Sequence, residues 1–365
     1  MKILLLEPYY GGSHRQWAEG LVAHSEHDIS VYSLPDSHWK WRMHGAAVSF
    51  AIRFMEDDLL PDLILCSDML DFSTFLGLTA AKSAGIKTAI YFHENQLSYP
   101  WSPTDQDMDK HRDNHYKFIN YTSALAAGKV FFNSAYHLDS FFEALEPFLK
   151  AFPDHQNSST IEIIKKKSSV LSLGLDLRKL DAFKKDKETD LPILLWNHRW
   201  EYDKNPELFF NTLMALKREG LQFRLIVIGK AYEKSPKIFK EAKAALEAET
   251  LHFGYVESLE EYAALLWQAD ILPVTSNQDF FGGSIVEAMY CDCVPLLPNR
   301  LTYPQHVGEG SAKYLYQTDE DFKRKLEEMI LSKSIVQRSL RGRVAGYDWT
   351  QLIATYDKNF GDCVS

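Results

Sequence analysis

Short apolar runs alternate with helix-patterned stretches along the whole chain, and they do so in two separate series. In the first, runs at 2–6, 29–33, 63–66, 88–93 and 130–133 read as strands, with helical stretches at 14–25, 73–84 and 136–150 between them. A further run at 169–173 closes this series. Strands with a helix in each connection must pair in parallel, because only a long crossover returns the chain to the same edge of the sheet. The second series has strands at 194–197, 224–229, 252–255, 271–275 and 294–297, and helices at 206–219, 236–249, 259–268, 284–291 and 320–332. Pro206 suits the first position of its helix, where a missing N–H is harmless. Between the series, 179–190 is charged and poor in apolar residues and reads as a linker. The expectation is two Rossmann-like α/β domains, 1–178 and 191–345, followed by a helical segment within 346–365.

At 365 residues the chain exceeds what one core usually organises. With 45% hydrophobic and 25% charged residues it has the composition of a soluble globular protein. The apolar run at 2–6 is too short for a secretory signal, and no stretch approaches the length of a membrane span. Cys66, Cys291, Cys293 and Cys363 show no zinc-like spacing and fit a reducing compartment, so the expected location is cytoplasmic. The net charge of -10 argues against broad, sequence-independent nucleic-acid binding. Local basic segments remain as candidates for an RNA backbone: Lys165 to Lys167, Arg178-Lys179, Lys184-Lys185 and Arg338 to Arg343. Their simpler use is as solvated faces.

The richest chemistry lies at 279–287, Asp-Phe-Phe-Gly-Gly-Ser-Ile-Val-Glu, between the runs at 271–275 and 294–297. That order reads as strand, turn, helix, strand. Backbone N–H groups at Gly282 and Gly283 can approach phosphate oxygens at the helix start. Asp279 and Glu287 bracket the turn as candidate partners for sugar hydroxyls, with Phe280 and Phe281 beside them. A second loop follows the strand at 194–197 and carries Arg199 and Lys204, a planar fork and a point charge suited to a leaving diphosphate. Open α/β sheets bind ligands at this end of their strands.

In the first series, Gly11-Gly12-Ser13-His14 follows the first strand, with Ser13 as a candidate N-cap. The loop lacks the Gly-x-Gly-x-x-Gly of a dinucleotide site. His93, Glu94, Asn95 and Gln96 end another strand and form a dense hydrogen-bonding group. Asp105, Asp107 and Asp109 have the spacing of some metal sites but read as a solvated acidic stretch. His111 and His115 lack a third ligand, so no metal is expected.

Together these segments resemble the family 4 retaining glycosyltransferases of the GT-B type, whose two Rossmann-like domains face each other across a cleft. The shared features are Arg199 and Lys204 on the first loop of the C-terminal domain and an acid, seven residues and Glu287. Asp279 stands where the family usually has Glu. The likeness is closest to the tRNA-queuosine α-mannosyltransferase branch. It rests on Glu7-Pro8-Tyr9-Tyr10-Gly11-Gly12-Ser13-His14, on Tyr91 to Leu97, on His198 to Lys204, and on Phe280-Phe281-Gly282 with Glu287-Ala288.

This resemblance implies a retaining transfer of mannose from GDP-mannose to queuosine in a tRNA anticodon loop, with the tRNA for Asp as the expected substrate. His93, Arg199, Lys204 and Glu287 would be catalytic. Gly11, Gly12, Ser13, Asp279, Phe280, Phe281, Gly282, Gly283 and Glu287 would hold the donor. His14, Glu94, Asn95 and Gln96 would orient sugar or acceptor, and the last helix would return to the N-terminal domain. No cofactor, membrane or obligate protein partner is implied. Trp39, Trp41, Tyr99 and Trp101 are candidate stacking platforms for a base. The alternatives are a family 4 enzyme with a lipid-linked or small-molecule acceptor, a nucleotide-sugar epimerase, and a non-catalytic nucleotide-binding module.

Overall fold

Two fully parallel six-stranded sheets organise the chain. The computed structural model describes residues 1–101, 114–185, 190–231, 235–308, 310–332 and 339–365. The acidic stretch at 105–109, His111 and Arg338 lie outside the described residues. Two units emerge: Met1–Leu175 with Trp349–Ser365, and Asp176–Asp348.

The first unit has strands β1 Lys2–Tyr10, β2 Asp28–Pro35, β3 Leu63–Ser67, β4 Lys87–Phe92, β5 Lys129–Phe132 and β6 Ser168–Val170 in the order β2-β1-β3-β4-β5-β6. Its helices are α1 Gly12–His24, α2 Trp39–Glu56, α3 Phe72–Leu78, α4 Ala80–Ser83, α5 Asn114–Ala126, α6 Ala135–Lys150 and α7 Thr160–Lys166. The sheet is covered on both faces, which is why β3 is buried at every residue. Strand order reverses between β1 and β3, so the loops leaving these strands diverge and open a crevice between them.

The second unit has β7 Ile193–Trp196, β8 Arg224–Ile228, β9 Thr250–Gly254, β10 Ile271–Pro273, β11 Val294–Pro298 and β12 Leu315–Tyr316 in the order β12-β11-β10-β7-β8-β9. Helices α8 Pro206–Arg218, α9 Ile238–Ala245, α10 Leu259–Gln268, α11 Gly283–Tyr290, α12 Tyr303–Val307, α13 Asp319–Leu331 and α14 Arg341–Val344 complete it. Here the reversal falls between β7 and β10. The loops carrying Arg199 and Lys204, and Asp279 to Gly283, are the two that flank it.

Part of the expected linker is ordered structure. Residues Leu177–Phe183 form a 3₁₀ helix with Leu177 and Leu180 buried. The Trp267 indole donates to the Leu180 carbonyl at 2.8 Å, holding that helix against α10. Arg178, Lys179 and Asp181 on the same helix are exposed and conceal two apolar anchors from a reading of composition. The long helix α2 also escapes the strand–helix count, because its aromatic and basic residues blur the apolar stripe.

The last helix, α15 Trp349–Val364, belongs to the first unit. Trp349 is fully buried, and its backbone N–H donates to the Leu175 carbonyl at 2.9 Å. Two glycines admit the indole: a Cβ on Gly20 would lie 2.0 Å from it and one on Gly174 2.5 Å from it. The Tyr356 hydroxyl accepts from the Trp17 indole at 3.1 Å and donates to the Ser172 carbonyl at 2.8 Å. Trp349→Ala should therefore destabilise the first unit by about 3–5 kcal/mol, the usual range for emptying a buried indole site. Denaturant unfolding followed by near-ultraviolet circular dichroism measures it, and a loss below about 1 kcal/mol would contradict the anchor role.

Candidate functional site

In the second unit, the switch point between β7 and β10 gathers the predicted cations and acids. Burial dictates how they are arranged, because a charge removed from water must find its partners inside the protein. Lys204 is buried and directs its ammonium at the Gln278 carbonyl at 2.7 Å, Asp279 at 3.0 Å and Asp203 at 3.2 Å. An ammonium has three N–H donors, and this set matches them. Burial pulls the Lys204 ammonium down, yet Asp279 and Asp203 leave it above its ordinary value. Burial opposes ionisation of Asp279 as well, but Lys204 holds its carboxyl below the usual range.

Asp279 was expected to face donor sugars. Its carboxylate is instead committed to Lys204 and to the Tyr303 hydroxyl, which donates at 2.5 Å from the start of α12. Sequence reading missed Tyr303 and Asp203, whose side chains meet this group only in the folded chain. Arg199 is half-exposed and pairs with Glu201 at 3.2 Å.

Gly282, at φ 79°, turns the chain left-handed into α11, a conformation that favours glycine. The helix start is tied to the end of β7, since the Asn197 amide donates to the Ser284 carbonyl at 2.7 Å. The neighbouring His198 ring is buried, which lowers its pKa to about 4 and keeps it neutral. Phe280 and Phe281 are buried as well. Phe281 packs on His306 and Tyr347, so it supports the turn from behind.

Glu287 lies one turn further along α11, where the Tyr262 hydroxyl donates to its carboxylate at 2.7 Å. Burial pushes its pKa up to about 7, against the opposing pull of that hydrogen bond. A carboxyl balanced near neutrality and already holding one hydroxyl is chemically suited to accept others.

In the first unit, the loops leaving β1, β3 and β4 meet at the other switch point. Glu7 is fully buried, and His14 directs Nδ1 at both its carboxylate oxygens, 3.2 Å from each. The His93 ring lies 4.2 Å from that of His14, centroid to centroid, with Trp17 and Tyr91 on its other sides. Asp68, at the end of β3, accepts the His93 backbone N–H at 2.7 Å. Ligand atoms of Glu7, His14 and His93 lie within 4.8 Å of one another. The Glu7–His14 spacing is that of a hydrogen-bonded pair, and we assign the cluster no ion.

Ser13 is not the N-cap: Gly11 holds that position, while Ser13 lies exposed in the first turn. Gly11 is needed for close packing, as a Cβ there would lie 2.1 Å from the Asp36 carboxylate, whereas Gly12 borders open space. Asn95 is a turn cap, its side-chain oxygen accepting the Ser98 N–H at 2.9 Å. Gln96 donates to Glu94 at 3.0 Å. Trp39 and Trp101 pack against Tyr116, while Trp41 is exposed.

A family model described as the N-terminal part of tRNA-queuosine alpha-mannosyltransferase matches residues 2–175, and one for group 1 glycosyl transferases matches 178–343. The tRNA-queuosine alpha-mannosyltransferase of Drosophila melanogaster is 34% identical over 333 residues, covering 89% of this chain and 85% of the relative. Among solved structures, sucrose-phosphate synthase from Thermosynechococcus elongatus superposes with a TM-score of 0.71 at 14% identity, covering 99% of this chain and 98% of that one. Anabaena HepE in complex with UDP and glucose gives 0.65 at 14% identity, covering 99% of this chain and all of that one (100%). These two show the fold. The chain is a GT-B glycosyltransferase of family 4. Within that class it belongs to the tRNA-queuosine alpha-mannosyltransferase family.

The Lys204 group yields a stability test. Asp279→Asn should destabilise the second unit by about 3 kcal/mol, the low end for breaking a buried ion pair, because Asp203 remains beside the ammonium. Tyr303→Phe should have a smaller effect of about 1 kcal/mol, the net value of one hydrogen bond. Equal losses in urea titrations of the two variants would refute the assignment of Asp279 to Lys204.

Proposed function

We propose that this enzyme transfers mannose from GDP-mannose to queuosine in a tRNA, with retention of anomeric configuration. The observation that carries this reading is the family likeness, which spans both units and is specific in the first. The donor's diphosphate fits the start of α11, where the Gly282–Gly283 turn offers backbone N–H groups and the helix dipole favours an anion. Arg199 supplies a side-chain fork to the same group. Lys204 acts through its charge, which Asp279 and Asp203 hold in place. Glu287 accepts the ribose hydroxyls.

As the bond from the anomeric carbon to the phosphate oxygen breaks, negative charge gathers on the departing diphosphate. Donors already aimed at that charge stabilise it most, because they need no reorganisation when it forms. We assign this work to protein groups and assign no metal to the reaction. The acceptor hydroxyl attacks the anomeric carbon on the face that the diphosphate leaves, and its proton passes to the departing phosphate oxygen, giving GDP and mannosyl-queuosine with retention. A modified base in an anticodon loop can be reached without melting a helix.

The test is incubation with GDP-mannose and queuosine-containing tRNA, beginning with the tRNA for Asp, followed by nuclease digestion and mass measurement of the nucleosides. A hexose added to queuosine is expected. Parallel reactions with lipid-linked and small-molecule acceptors give the competing outcome, and transfer to those alone would replace this reading. Arg199→Ala should lower turnover by about 10²-fold, the scale for losing one preorganised donor.

Glu287 adds a pH test. Its ionised form is the one that accepts hydroxyl hydrogens, and its pKa is raised to about 7. GDP affinity should therefore rise as pH increases through that value, by up to about tenfold per unit on the acid side. Calorimetric titration of GDP from about pH 6 to 8 reads this. Glu287→Gln should flatten the dependence, and an unchanged slope in that variant would remove Glu287 from the ribose site.

A further inference from the structure

We propose that Glu7 is a positioning residue that locks His14 as an imidazolium, giving the loops that leave β1 and β4 a fixed positive charge for an anionic oxygen of a ligand, beside a neutral His93. The inference rests on the nucleotide-sugar reading above for its ligand, but the state of the two histidines stands on its own geometry.

Glu7 is completely buried on β1, and a carboxylate there needs a partner. Its partners are the Tyr9 backbone N–H at 3.0 Å and His14 Nδ1, placed evenly at 3.2 Å from both oxygens. An imidazole that donates from Nδ1 to a carboxylate has its tautomer and ring orientation set, and its Nε2 is the more basic for it. His14 also sits in the first turn of α1, where the helix dipole opposes a cation. Its charge therefore depends on Glu7.

The groups facing this imidazole come from each neighbouring element. Glu7 lies on β1, Asp68 at the end of β3, and His93 and Glu94 beyond β4; the Tyr9 ring meets it edge-on. Burial lowers the His14 pKa, but Glu7, with smaller help from Asp68 and Glu94, carries it to about 9. Asp68 is itself pushed upward by burial, so its help is partial at neutral pH.

His93 has the opposite fate. Burial, with added repulsion from His14 and from His137 on α6, holds it well below its ordinary value. Only 9% of His93 is exposed, and its Nε2 has no hydrogen-bond partner among the described residues. A buried polar atom left open in this way points to a ligand that completes it. The two rings thus divide the work: His14 offers charge to an anionic oxygen, and His93 offers an uncharged nitrogen to a hydroxyl.

The test follows the His14 ring by NMR in protein labelled at histidine, across pH, in wild type and Glu7→Gln, with His14→Asn giving the assignment. In wild type the ring should remain protonated to about pH 9. In Glu7→Gln it should be neutral above its ordinary value of about 6.5. The alkaline limb of kcat for mannose transfer should move down with it. At pH 7.5, an assay condition, kcat should fall on the order of 10- to 100-fold with KM for tRNA unchanged. Glu7→Asp should recover part of the loss.

A neutral His14 at pH 7 in wild type overturns the proposal, and that measurement needs no variant to fold. A folded Glu7→Gln protein with an unchanged alkaline limb also overturns it. Wild-type protein that shows the charged ring but transfers no mannose leaves the Glu7–His14 assignment standing and sinks the functional reading instead.

Discussion

A charge taken out of water must be answered within a few ångströms, and both units are arranged around that requirement. In the second, the Lys204 ammonium is met by a carbonyl and two carboxylates. In the first, the Glu7 carboxylate is met by an imidazole and a backbone N–H. Neither charge improves stability simply by being present, since an apolar side chain of similar shape would avoid the desolvation cost. What each one secures is a position. Lys204 joins the loop after β7 to the loop after β10, and Glu7 joins the end of β1 to the first turn of α1. These are the loops that the reversal of strand order leaves facing an open crevice.

The two sites use burial in different ways. Around Lys204 it strengthens an ion pair whose members both keep their charge. Around Glu287 it works against ionisation and brings the pKa of the carboxyl near 7, where a small change of pH changes its charge. Around His14 and His93 it separates two chemically identical rings, because the Glu7 carboxylate is hydrogen-bonded to the ring of His14, while burial and the neighbouring imidazoles act on His93. Environment, more than residue type, assigns the roles.

This explains how much could be read from the chain beforehand. The strand–helix alternation was legible because periodicity records which faces are covered, and both parallel sheets are present. Arg199, Lys204, Asp279, Gly282 and Glu287 were legible as a group because each lies just beyond an apolar run. Their mutual contacts were not. That Asp279 faces Lys204 and Tyr303 depends on how residues 75 and 24 positions away fold back upon it. The role of Glu7 is not legible in the sequence, since an acid within a strand gives no sign of being buried until its neighbours are known. Asn95 and Phe281 have structural contacts that the chain did not announce: one caps a turn and the other packs behind one.

The return of α15 to the first unit has a consequence for how the protein is made. Trp17 and Tyr91, which wall in His93, are held in place by the hydroxyl of Tyr356, as are the residues around Ser172. These belong to segments translated more than 180 residues apart. A ribosome that has released all of Met1–Leu175 has therefore delivered every strand of the first sheet without the helix that seals it. The second unit, drawn from one uninterrupted stretch, can finish while it waits. The half of the enzyme that emerges first is thus the half that matures last, and a nascent chain stalled short of Trp349 would expose the unsealed face to chaperones.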